Sequence, residues 1–202
     1  KSLGIIPVDF IYRARLCGSL WVDYYSQALE NPYGIKLEPN LPLMYKFIPP
    51  IFTPTEKSDS EENPDPPLDR LQTYNKYPGP ARVGRLVFQI GRRFLKRRGL
   101  EALDTKLEFG YDEDGMLTLA DEVLTPDSSR FAGLEDIREG ENPPWRDKQI
   151  ARDWAQNKWG IQLKSPLIFP PLVINQLKDT YLDLFEQVVG MPLWQFQKER
   201  LD

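Results

Sequence analysis

The chain has 202 residues, 41% hydrophobic and 28% charged, with 26 basic against 30 acidic side chains and a formal net charge of −4. This is an ordinary globular balance, sized for one domain or one large lobe, and its acidity argues against a chain built mainly to hold nucleic acid. It contains no histidine and one cysteine, Cys17, which excludes a Ser-His-Asp triad, a Cys-His pair, His-containing zinc sites and an internal disulfide framework. Any general base must then be a carboxylate, a lysine or the substrate itself, and any metal site an oxygen site suited to magnesium or calcium. No apolar run approaches the roughly 20 residues of a membrane span. No signal peptide is visible, and a lone cysteine fits a reducing compartment.

The chain opens at Lys1 without a methionine and turns apolar at once, from Leu3 to Ile6, as though entered partway through a fold. Ile5 to Leu16 (IIPVDFIYRARL) alternates from Val8 onward and predicts a strand. Cys17-Gly18-Ser19 then turns into a helix over Leu20 to Ala28, and Gly34 to Leu41 reads as loop or short strand. Ile48 to Pro80 holds a large share of the 19 prolines and an acidic run, SDSEENPDPP, the composition of a mobile surface loop.

Ala81 to Arg98 is the clearest helix. Val83, Leu86, Val87, Ile90 and Phe94 build one apolar stripe. Its other faces carry seven basic residues from Arg82 to Arg98, a solvated face in preference to a nucleic-acid surface, since little aromatic interleaving accompanies them. Two strands follow, Leu103 to Gly110 and Met116 to Leu124, joined across YDEDG with the turn signal Asp114-Gly115. Helices are expected over Asp147 to Lys158 and Pro171 to Val189, with Leu177, Tyr181, Leu184, Phe185 and Val188 inward on the second, and a short helix after Pro192. There is no internal repeat.

If the hairpin turn centres on Glu113 and Asp114, Glu108 faces Leu119 and Lys106 faces Asp121. Lys106, Glu108 and Asp121 then share one face. Two carboxylates and an ammonium are costly to bury unpaired. They suit either a magnesium ion with phosphates or a surface salt-bridge ladder, and a one-residue slip would send them to opposite faces.

Five blocks in order carry a resemblance: IPVDFIYRARLCGSLWVDY (Ile6 to Tyr24), PPIFTPTEKSD (Pro49 to Asp59), DTKLEFG (Asp104 to Gly110), LADEVLTPDSSRF (Leu119 to Phe131) and DKQIARDW (Asp147 to Trp154). Together they resemble the signature segments of the SAICAR synthase family over roughly residues 5 to 155. The resemblance implies an α+β fold, an antiparallel sheet flanked by helices, forming one lobe over residues 1–202 with a proline-rich acidic loop at 48–80 and C-terminal helices over 147–202. It implies a cytoplasmic, ATP- and Mg2+-dependent ligase of purine biosynthesis that activates an aminoimidazole ribotide carboxylate by phosphoryl transfer and joins it to L-aspartate. Carried over position by position, Glu108 and Asp121 match the acids of the magnesium-nucleotide site, and Lys106 the lysine beside them. Arg13, Ser19 and Arg130 match groups holding the ribotide and its phosphate. Asp127 and Ser129 match the loop lining the substrate pocket, and Lys148 and Arg152 the basic pair of the last block. Lys57 and Asp59 are kept from the second block.

Three departures accompany the match. The family's N-terminal nucleotide lobe is missing, so the sheet is expected to show an open face or edge that self-associates or is covered by the proline-rich stretch. The loop after PPIFTPTEKSD reads SEENPDPP without the family's histidine, and the aromatic that follows SRF in the family is Ala132. The last two bring in a second reading, a relative acting on another carboxylate and amine, and the first brings in a third, a ligand-binding lobe without turnover. Cys17 stands where the family has a small residue or threonine and is expected to pack rather than react.

Overall fold

The computed structural model of the chain describes residues 2–26, 32–57, 65–159 and 168–200. Seven strands form one antiparallel sheet: β1 Gly4–Ile5, β2 Val8–Arg15, β3 Lys46–Phe52, β4 Thr55–Glu56, β5 Leu100–Tyr111, β6 Leu117–Ala120 and β7 Ser129–Gly133. The helices are α1 Gly18–Ser26, α2 Arg70–Lys76, α3 Pro78–Lys96, α4 Gln149–Trp159, α5 Pro171–Val189 and α6 Leu193–Arg200. The α+β expectation holds.

The twelve-residue β5 is the common partner. It pairs with β1, β2, β6 and β7, while β2 pairs in turn with β3 and β4. Alternation along β2 divides its side chains: Val8, Phe10, Tyr12 and Ala14 join the main core, and Asp9, Ile11 and Arg13 face the other way. On β5, Leu107 and Phe109 lie in the core, and Asp104, Lys106 and Glu108 alternate with them. One sheet face is therefore covered by α3, and the other carries chemistry.

The stretch read as a loop from Ile48 differs. Lys46–Phe52 is a strand paired with β2, through Tyr12↔Phe52 and Arg13↔Ile51. Its prolines are tolerated because β3 ends the strand order, where a missing donor costs no ladder bond. Thr55–Glu56 also pairs with β2, and Asp69 caps α2 by accepting from the backbone N–H groups of Leu71 and Gln72 at 2.9 Å.

α3 is present but turned about its axis. Its buried residues are Ala81, Gly84, Phe88 and Leu95, whereas Val83, Leu86, Ile90 and Phe94 of the expected inner stripe are exposed. Two contacts decide this. A Cβ on Gly84 would stand 2.8 Å from the Tyr12 ring, so only glycine lets helix and strand approach there, and Tyr12 donates to the Ala81 carbonyl at 2.7 Å. Arg92 also reaches inward to the buried Glu101 carboxylate, which Arg15 and Lys96 hold as well.

The hairpin register differs by one residue. Glu108 pairs with Ala120 and Phe109 with Leu119, and β6 stops at Ala120. Asp121, at φ 58, begins a turn and is exposed, so it does not sit opposite Lys106. Lys106 pairs with Ile11 of β2 instead, and its amide donates to the Ser128 carbonyl at 2.9 Å. α5 spans the expected range, with Leu184 buried and Gly190 (φ 86) ending it.

Candidate functional site

The polar face of β2 and β5 lines a cavity of about 320 Å³ together with β7, the turn before it and the start of α4. Its charged lining includes Arg13, Lys106, Asp127, Arg130, Lys148 and Arg152. Ser19 and Ser129 line it too. Eight expected site residues thus converge although they lie on five separate segments.

Asp104 organises the centre. One of its oxygens accepts from Arg13 at 2.9 Å and from Arg130 at 2.6 Å, and the other accepts from the Arg130 amide at 3.2 Å. Arg13 also donates to Thr53 Oγ1 at 2.9 Å and to Ser19 Oγ at 3.0 Å. The Asp104 carboxylate raises the pKa of Arg130 further. The Arg130 Nε has no hydrogen-bond partner among the described residues, although it is buried. Gly18, at φ 60, leaves room for this guanidinium: a Cβ there would overlap it.

The turn from Asp121 to Ser128 is held by Thr125. Its hydroxyl donates to Glu122 and accepts from the amides of Asp127 and Ser128 at 3.3 Å, and its carbonyl accepts from the Ser129 amide at 3.0 Å. This is the local competition of short hydroxyl side chains with regular structure, and it launches Ser129 into β7 beside Thr105, with 2.8 Å between the hydroxyls. Asp127 reaches Lys148 at 3.4 Å.

At the other end, Glu108 accepts from Lys57 at 2.6 Å and from Lys106 at 3.1 Å. Burial opposes its charge, and the two lysines more than offset that, so its pKa lies below the usual carboxylate range. Lys106 also stands 3.5 Å from Asp9. Among the described residues no three acidic or cysteine side chains gather as a metal cage. Asp59 lies outside the described residues.

Asp9, Asp104 and Asp147 were missed as individuals. Asp147 is buried, accepts from the Phe131 amide at 3.1 Å and the Gln149 amide at 2.7 Å, and caps α4. Burial pushes its pKa up to about 6. The signal for Asp9 and Asp104 was an acid in mid-strand between apolar neighbours, in VDFIYRAR and LEALDTKLEFG. Two other expectations resolve as packing. Ala132 is fully buried with Cys17, Leu43, Met44 and Leu103, and lines neither this cavity nor its neighbour. Burial pushes the Cys17 thiol up to about 12. The neighbouring cavity, about 570 Å³, shares Ser19, Arg130 and Arg152 and adds Trp21, Trp145 and Phe169.

Comparison with known proteins shows what the chain as a whole resembles. The phosphoribosylaminoimidazole-succinocarboxamide synthase of Thermobifida fusca is 38% identical over 202 residues, covering 94% of this chain and 64% of that protein. The structure of SAICAR-synthase from Saccharomyces cerevisiae complexed with SAICAR superposes with a TM-score of 0.79 at 29% identity, over 95% of this chain and 62% of that one. A SAICAR synthetase in complex with ADP shares the fold, with a TM-score of 0.62 at 22% identity over 95% of this chain and 66% of that one. The chain thus spans somewhat less than two thirds of the length of these relatives. A profile of the SAICAR synthetase family matches residues 1–166, and the chain belongs to that family.

Proposed function

We propose that this chain carries the ribotide-binding and phosphoryl-facing half of an ATP-dependent ligase, joining an aminoimidazole ribotide carboxylate to L-aspartate in purine biosynthesis. The observation that carries the reading is the convergence of Arg13, Ser19, Lys106, Ser129, Arg130, Lys148 and Arg152 on one cavity. In the reaction implied by the family, the ribotide carboxylate takes a phosphoryl group from ATP. The aspartate nitrogen then bonds to the activated carbon and loses a proton as phosphate leaves with the C–O electron pair. Such chemistry asks mainly for positioning and for cations around developing charge, which suits a chain without histidine.

Arg13 and Arg130 bind the ribotide phosphate. Asp104 holds both guanidinium groups in place before the ligand arrives, and the partnerless Nε of Arg130 is a donor left for it. Ser19, in the first turn of α1, adds a hydroxyl where a helix N-terminus favours anions. Lys148 and Arg152 receive the carboxylates of the amine substrate. Asp127 restrains Lys148, and Lys106 faces the transferring phosphoryl group.

A magnesium ion fits the other end of the site. The donors there are hard carboxylate oxygens. Magnesium is commonly held by one or two carboxylates plus phosphate oxygens, not by a full protein cage. Glu108 and the exposed Asp121 would hold it, and it would neutralise phosphate charge.

Calorimetric titration of SAICAR into the chain tests the site. Saturable binding is expected, weakened about ten- to hundredfold in Arg130→Lys, because lysine cannot replace the planar fork. Joined to a nucleotide lobe of the family, and given ATP, magnesium, the ribotide carboxylate and L-aspartate, the chain should yield the amide and phosphate. A wild-type chain that gives no binding heat, and no amide once joined to that lobe, would overturn the reading.

A further inference from the structure

The ribotide end of the site balances its charges through Asp104. The phosphoryl end contains a buried acid, Asp9, to which no role in binding or transfer has been given. Continuing the β2–β5 register past Phe10↔Leu107 sets Asp9 opposite Glu108. Like charges directly opposite on neighbouring strands are destabilising, and both acids are buried, Asp9 to 2% exposure and Glu108 to 6%. Neither takes part in a helix cap.

What lies between them is the Lys106 ammonium, 3.5 Å from Asp9 Oδ2 and 3.1 Å from Glu108 Oε1. Glu108 has a second cation in Lys57, at 2.6 Å. Among the described residues Asp9 forms one ion pair, with Lys106, and its other oxygen, Oδ1, has no hydrogen-bond partner. A structural ion pair would be expected to satisfy both oxygens of a buried carboxylate. Here one oxygen is sacrificed so that the other can reach across to a lysine whose side chain is 39% exposed to the cavity.

We propose that Asp9 is a positioning residue that fixes the Lys106 ammonium toward the phosphoryl group, by pulling it from β2 against the pull of Glu108 from its own strand. A lysine on four flexible carbons is a poor director of charge when free. Tethered between two strands, it keeps one place when the ligand arrives, and less ordering remains to be done in the transition state. Glu108 alone holds it through a single oxygen, Oε1, because Lys57 takes Oε2.

The inference rests on the ligase reading, and its test separates the two. A slowly exchanging 15N ammonium signal from Lys106, identified by its loss in Lys106→Met, should be visible in the wild-type chain. It should broaden away in Asp9→Asn and return in Asp9→Glu. Turnover of the chain joined to a nucleotide lobe should follow the same pattern: kcat falls about tenfold or more in Asp9→Asn while KM for the ribotide changes by less than about twofold, and Asp9→Glu recovers part of the loss. The melting temperature of Asp9→Asn should hold or rise, because one of two opposed charges has gone. An unchanged ammonium signal and kcat in Asp9→Asn would overturn the proposal. So would a fall in melting temperature that tracks the loss of activity in both variants, since that describes a merely structural pair. If the wild type so joined makes no amide, the ligase reading fails, and the ammonium signal alone then decides whether Asp9 holds Lys106.

Discussion

Asp147 shows what burial does to a single carboxyl. It is 1% exposed, with two backbone N–H groups for company and Arg130 nearby, yet burial dominates and raises its pKa from 3.8 to about 6. Below pH 4 it is protonated both folded and unfolded. Between pH 4 and 6 the unfolded chain releases the proton and the folded chain keeps it, so the unfolded state gains and stability falls as pH rises. The loss is complete above pH 6 and amounts to at most about 3 kcal/mol, at 1.36 kcal/mol per pH unit. Asp147→Asn keeps an oxygen for capping and should flatten that slope, which urea denaturation at pH 4, 5, 6 and 7 would reveal. An unchanged slope would mean that Asp147 ionises as freely in the fold as outside it. From the sequence, Lys148 was legible through its motif, whereas Asp147 beside it was not. Its role comes from capping α4 and from meeting the Phe131 amide, a contact 16 positions away.

α3 shows the same lesson in a whole element. Its existence was legible from periodicity, though its first turn, Pro78 to Pro80, was assigned to the loop before it, and its facing was not legible. The helix is apolar on two sides, and hydrophobicity alone chose the side with the larger residues. The fold chose the side that lets Gly84 touch Tyr12 and lets Arg92 reach Glu101. Both are decided by partners on other strands. The two facings differ sharply in cost. Phe88→Ala empties a fully packed site and should destabilise by about 3–5 kcal/mol, whereas Ile90→Ser, at a position 63% exposed, should cost about 0.5 kcal/mol or less. Chemical denaturation of the two variants would invert that order if the periodic stripe faced the core. The edge strand β3 was missed for a related reason: Pro49 and Pro50 argue against a strand in general, but not against one with a free side.

In the molecule as a whole, long-range charge pairs do the joining. Arg13 and Asp104 are 91 positions apart, and Asp104 and Arg130 another 26. The motif blocks made these residues legible as a set, but the carboxylate that unites them emerges only when β2, β5 and β7 lie side by side. Asp104→Asn should therefore act on the fold as well as the site. It leaves the buried Arg13 guanidinium without its ion-pair partner, and a loss of about 3–5 kcal/mol is expected, read as a lowered urea midpoint. A variant as stable as the wild type would show that Thr53 and Ser19 suffice to hold Arg13.

β5 carries Asp104, Lys106 and Glu108 on every second residue of one strand. A strand advances about 3.3 Å per residue, so the arginine-holding end and the lysine-holding end lie roughly 13 Å apart along a rigid line. That makes β5 a ruler for inhibitor design. A molecule with two anionic heads should gain from both ends only when its spacer matches that length, and affinity plotted against spacer length should rise to a peak and fall away on either side.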